Sequence, residues 1–154
     1  VRRRRGPLAC RWASRLRCIQ DMERGRTMLL WASVPGYDGF YEVSNYGDVR
    51  SLTRYVPYGR HKGMVYKGKD LTQFISGKYL SVKLAKAGVT KTRYVHELVM
   101  LSFEGVRPDL KSRCEIRHLD GNHLSNCLSN LKYGTTKENA ADRKLHALGL
   151  VAVK

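Results

Sequence analysis

One imidazole and two carboxamides stand in order in the last third of the chain: His118 in RHLDGN, Asn130 in SNLKYGTT and Asn139 in KENAADR. An imidazole titrates near neutrality and can take a proton from water. A carboxamide oxygen is a hard donor suited to Mg2+ or Mn2+. Hydrolysis of a phosphodiester calls on both at once, an activated water and positive charge at the leaving oxygen. Taken singly, each residue has an ordinary reading. A His beside an Asp-Gly turn is more often an exposed strand-end residue than a catalyst, and Asn near turns and helix starts commonly bonds local backbone.

The elements that must position them can be read from local pattern. Cys114 to His118 reads as a short strand, and Asp120-Gly121 as a tight turn, because Gly tolerates positive φ and Asp bonds its own backbone; a hairpin is expected there. Leu124, Leu128 and Leu131 anchor a polar loop. Thr135 as N-cap places Glu138 at the third helical position, the spacing of a capping box. The helix then runs through Ala140, Ala141, Leu145 and Leu148 to a stop at Gly149. The layout is two strands and a helix, ββα.

This arrangement resembles the core of the HNH (ββα-metal) nucleases. The resemblance implies His118 as general base, Asn130 as the motif's middle residue bracing the loop beside it, and Asn139 as the helix-borne metal ligand. It also implies one divalent ion, Mg2+ or Mn2+, no small-molecule cofactor, and double-stranded DNA as partner. Many members carry Asp, a metal-binding carboxylate, immediately before the general-base His, where this chain has Arg117. Asp120 and Asp142 are the candidates to replace it, each with an ordinary reading beside this one: Asp120 serves the turn, and Asp142 caps the helix or pairs with a nearby Arg. The departure also leaves open an alternative, a catalytically inactive DNA-binding protein derived from such a nuclease; RNA binding is a third reading. His96 in YVHELVMLSF falls on an amphipathic helix with Leu98, Val99, Leu101 and Phe103, and is assigned a structural role beneath the active unit. His123 and His146 are assigned to the surface.

Upstream, Trp31 to Leu52 reads WASVPGYDGFYEVSNYGDVRSL. Pro35-Gly36 and Asp38-Gly39 are turns, Phe40 to Val43 a short strand, and Asn45-Tyr46-Gly47 a turn into Asp48 to Leu52, which together make a small antiparallel hairpin. The segment resembles the NUMOD class of nuclease-associated DNA-binding modules, in the subtype with W-x-x-V-x-G-Y-x-G-x-Y-x-V-S-N-x-G-x-V. Its aromatics are assigned mainly to the fold, and Arg50, Arg54, Arg60, Lys62 and Lys67 to phosphate contact. Farther on, KYLSVKL and KTRYVHEL alternate basic with apolar residues around Ala87-Gly88. They are read as a hairpin with one packed face and one DNA-tracking face bearing Lys83, Lys86 and Arg93. Arg117 joins these as a phosphate contact. The two modules in this order resemble phage-type homing or free-standing HNH endonucleases, which implies the cytoplasm of a bacterial host and a phage or prophage gene.

Charge supports a nucleic-acid partner without choosing among them. The formal net charge is +16, from 29 Lys+Arg against 13 Asp+Glu. Residues 1–27 hold nine Arg and two acids, so they supply +7 and leave +9 for the rest. This Arg-rich segment has no apolar stretch of a signal peptide. It is read as a DNA-gripping arm or as sequence upstream of a start at Met22 or Met28. Four cysteines, at 10, 18, 114 and 127, form no C-x-x-C pair, which argues against a zinc site made of four thiolates, although Cys114 and Cys127 could approach each other across the hairpin. The expected architecture is α+β. It divides into an arm (1–27), a β-rich module with its basic hairpin (28–90), and a ββα-metal unit (91–148) introduced by a helix around His96. A single such unit has one metal site, so a monomer that nicks one strand is the simpler expectation.

Overall fold

The computed structural model describes residues 28–58, 61–107 and 114–150. The Arg-rich arm, Arg60 and the ends of the chain lie outside the described residues. Within them the protein is α+β. Strands β1 (Trp31–Ser33), β2 (Tyr41–Ser44) and β3 (Val49–Ser51) form one antiparallel sheet in the order β1-β2-β3. The expected hairpin is β2-β3, closed by a turn in which Gly47 takes φ 85°; β1 adds a third strand that its short length hid. A separate hairpin, β4 (Arg54–Tyr58) and β5 (His61–Tyr66), stands outside the core with Tyr55, Met64 and Val65 exposed.

The third sheet joins β6 (Phe74–Ser76), β7 (Tyr79–Lys86) and β8 (Val89–Tyr94). Ala87 (φ 50°) and Gly88 (φ 77°) are both left-handed, the two-residue turn whose twist suits a hairpin. Strand β7 alternates, with Val82 and Leu84 fully buried and Lys83 exposed. Strand β8 runs directly into helix α1 (Val95–Phe103), which buries Val95, Leu98, Val99 and Met100. The last unit is β9 (Cys114–His118), β10 (Leu131–Thr135) and helix α2 (Thr136–Ala147). Thr135 caps α2 in a reciprocal capping box with Glu138.

One expectation about this unit is corrected. The Asp120-Gly121 turn does not close a hairpin with an adjacent strand. It opens a connection from Leu119 to Asn130, and β9 pairs only with β10, Leu131 opposite His118 and Thr135 opposite Cys114. Residues just after the turn are polar and bond one another, as in Asn122 N to Asp120 Oδ1 at 2.8 Å and Leu124 N to Asn122 Oδ1 at 3.1 Å, so no ladder competes there. Cys114 keeps a free thiol and makes no bridge to Cys127.

One hydrophobic cluster runs through all of this. Val34, Tyr41, Val43 and Val49 from the first sheet, Val82 and Leu84 from the third, α1, and Leu131 from β10 share it. Helix α1 lies at its centre, so the strands that follow are packed against the first module through a common core. The Tyr41 hydroxyl adds a polar tie, donating to Ala85 O at 3.1 Å and accepting from Ala85 N at 3.0 Å. No helix of the described residues is long and apolar enough to cross a membrane.

Candidate functional site

His118 ends β9 and turns its ring into the molecule, where it is 5 % exposed. Four side chains surround it. The Tyr79 ring stacks at 6.0 Å and 27°, while His96 and His123 each meet it edge-on at 5.3 Å. The fourth, Asn126, is as buried and sets its Oδ1 3.3 Å from His118 Nε2. In the tautomer that donates this bond, Nε2 carries the proton and Nδ1 keeps its lone pair. Burial lowers the His118 pKa from the usual 6.5 to about 4, opposed in part by the bond to Asn126. His96 is pushed lower, to about 3, first by burial and then by His118 and His123. The ring at the centre is therefore neutral at physiological pH.

The loop that carries Asn126 is held by Asn130. Its Oδ1 accepts from Asp120 N at 3.0 Å, and its Nδ2 donates to Asp120 Oδ1 at 2.8 Å and to Ser125 O at 2.9 Å. Asp120 thus spends its Oδ1 on the turn. Gly121 takes φ 71°, and an added Cβ there would sit 2.8 Å from the His146 ring. His146 Nε2 lies 3.0 Å from Leu119 O, so this residue pins α2 to the turn and is not a free surface group. His123, also assigned to the surface, is half-buried and faces His118.

The opposite face of β9 looks onto α2. Arg117, 7 % exposed, donates from Nε to Asp142 Oδ2 at 2.6 Å and from Nη2 to Asp142 Oδ1 at 2.8 Å, and its Nη1 is 3.4 Å from Glu138 Oε1. The bond to Asp142 raises the guanidinium pKa still further. Of the two readings of Asp142, the structure has the one in which it pairs with an Arg. Arg117 is buried in an ion pair and is not presented to a phosphate backbone, and both oxygens of Asp142 are taken by that guanidinium. Gly134 makes the pair possible, since a Cβ there would collide with Arg117 Cδ. One strand repeat away on the same face, Glu115 accepts from Asn139 Nδ2 and from Thr136 Oγ1. Among the described residues no three His, Cys, Asp or Glu side chains converge as a cation cage. Asn139 is half-buried and has a hard oxygen to offer, which suits an ion of the Mg2+ kind that keeps several waters and takes only one or two protein oxygens.

The other basic candidates are spread over the first and third sheets. Arg50 pairs with Glu42 at 2.7 Å and lies over the Trp31 ring at 3.9 Å. Arg54 lies over Phe40 at 4.9 Å, and Arg93 is 3.9 Å from Glu97. Lys83 is exposed on β7, and Lys86 donates to Gly36 O at 2.6 Å. Arg60 and the side chain of Lys62 lie outside the described residues. Sequence reading passed over Asn126, Tyr79 and Glu115. Asn126 had a signal, a second Asn in SNC between the turn and SNL.

The first module docks directly on the loop that holds His118. Asn45 O accepts from Leu128 N at 2.9 Å, and a Cβ added to Gly47 would stand 2.9 Å from Asn126 Cβ and 3.1 Å from Asn126 O.

Comparison with known proteins agrees with this layout. Residues 30–85 match the NUMOD4 motif. Over 115 residues the chain is 34 % identical to DNA endonuclease I-HmuI of Bacillus phage SP01, covering 73 % of this chain and 56 % of that protein. Over 113 residues it is 29 % identical to an HNH endonuclease of Acanthamoeba polyphaga mimivirus, 71 % of this chain and 25 % of the relative. The chain thus spans about half, and about a quarter, of the curated relatives it matches. The solved structure of I-HmuI, an HNH homing endonuclease studied for DNA binding and cleavage, superposes with a TM-score of 0.57 at 30 % identity, covering 80 % of this chain and 62 % of that one.

Proposed function

We propose, for a chain that carries the NUMOD4 motif and is related in sequence and fold to the HNH homing endonucleases, the hydrolysis of a phosphodiester in double-stranded DNA, nicking one strand as a monomer. The observation that carries this reading is His118: a buried imidazole at the end of β9 in a ββα unit, its Nε2 3.3 Å from Asn126 Oδ1, so that the tautomer donating this bond keeps the lone pair on Nδ1. His118 Nδ1 takes the proton of the attacking water as its oxygen bonds to phosphorus and the bond to the leaving oxygen breaks. Asn126 keeps the ring from turning, and Asn130 keeps the loop that carries Asn126 from moving. Asn139 would hold one divalent ion, Mg2+ or Mn2+, whose chemistry is to offset negative charge at the leaving oxygen. Exposed Lys83, with the basic residues around it, meets phosphate. The cytoplasm of a bacterial host is the place of action that the phage relative suggests.

The test is supercoiled plasmid with Mg2+ or Mn2+, with EDTA and His118→Ala as controls. Nicked circles that form only with metal, and about 10²- to 10⁴-fold more slowly with His118→Ala, are the expected result, since that is what general-base catalysis typically contributes. Duplex binding by His118→Ala stays near that of the unsubstituted chain, because affinity comes from distributed phosphate contacts. A second reading, a DNA-binding protein without catalysis, has one observation in its favour: the Arg117–Asp142 pair stands where the family places a carboxylate. Tight duplex binding with no cleavage under either metal would establish it.

A further inference from the structure

We propose that Glu115 supplies the carboxylate of the cation site, in place of the acid that Arg117 displaces; this rests on the nuclease reading above. The argument begins with the faces of β9. Side chains alternate along a strand, so His118 and Ile116 point to one side while Arg117 and Glu115 point to the other, toward α2. A carboxylate that is to share an ion with Asn139 must lie on this second face or on α2 itself. Four acids occupy the unit; Asp120 lies in the turn, off this face, and Asp142 and Glu138 both face the Arg117 cation. Asp120 is bonded into its turn by Asn122 N and Asn130 Nδ2. Asp142 gives both oxygens to Arg117, and Glu138 closes the helix cap and faces Arg117 Nη1.

Glu115 remains on this face, its two oxygens accepting only from neutral donors, Thr136 Oγ1 and the Asn139 amide against which the carboxylate lies. The nitrogen and oxygen of a carboxamide are interchangeable by a half-turn, so the group that now donates to Glu115 presents Oδ1 to the same point once turned. An ion there meets one carboxylate and one amide oxygen, with its remaining positions open to water and phosphate. The surrounding charge is favourable. Arg117, Asp142, Glu138 and Glu115 together carry −2, of which Lys132, acting on Glu138, offsets part.

The test reads metal binding without DNA or turnover. Free Mn2+ is followed by its aqueous electron paramagnetic resonance signal as it is titrated with the full chain, alongside Glu115→Gln and Asn139→Ala, with circular dichroism to establish that each is folded. Loss of at least about tenfold in Mn2+ affinity in both variants is expected, the scale on which metal sites respond even to outer-shell changes. Undiminished affinity in folded Glu115→Gln, or no Mn2+ bound by the unsubstituted chain, would overturn the assignment. Plasmid nicking run beside it separates the two readings. Glu115→Gln that still nicks like the parent sinks only Glu115, whereas a parent chain that nicks with neither metal sinks the nuclease itself.

Discussion

At the scale of single residues, the environment of His118 predicts how any cutting depends on pH. Burial holds its pKa near 4, so the ring is deprotonated through the neutral range and kcat/KM has its acid limb near that value, with no further gain from about pH 6 upward. Asn126→Asp places a negative charge where the amide oxygen now sits. It favours imidazolium, and a pH–rate profile will show the limb displaced toward neutrality. A limb that stays put would mean Asn126 does not hold the base. Arg117 gives a prediction of the opposite kind, about stability. Arg117→Ala leaves Asp142 buried without its partner, an arrangement that typically costs about 3–5 kcal/mol, whereas Arg117→Met combined with Asp142→Leu recovers most of that loss. Urea unfolding of the two variants measures the difference.

Among elements, the ββα unit depends on two small devices at the β10–α2 junction. Thr135 both caps the helix and receives the Glu138 carboxylate, so Thr135→Ala is expected to cost about 1 kcal/mol by urea unfolding. Gly134→Ala strikes the stem of Arg117 and lowers stability by more than the cap does, because the buried ion pair must shift. The sequence disclosed these elements unevenly, for a physical reason. The capping box, the Ala87-Gly88 turn and the order of His118, Asn130 and Asn139 rest on neighbours in the chain, and they were legible. The pairing of β9 with β10 across an irregular loop was not, because polar residues that bond one another carry no period. Tyr79 and Asn126 come to His118 only through tertiary packing, and the engagement of Arg117 with Asp142 waits on α2 lying across β9.

For the whole molecule, several buried imidazoles make folding itself sensitive to acid. An unfolded histidine binds its proton at the usual 6.5, while His118 and His96 in the folded chain do so only near 4 and 3. Below pH 6.5 the unfolded state therefore binds more protons, and stability falls with pH through the window from 6.5 to about 3. Thermal melts across that range, compared with His96→Gln, will show a shallower fall in the variant.

The contact of Gly47 with Asn126 has a consequence for how such proteins can be recombined. The first module is matched by a motif ending at residue 85, and that boundary invites its exchange as a cassette. Yet its turn is the floor under the loop that steadies His118, with φ 85° and no room for a Cβ. A foreign module joined at that boundary would need the same glycine and the same backbone carbonyl at Asn45. A chimera cut between the module and residues 119–130 would lose the seat of the base together with part of the core that the two share.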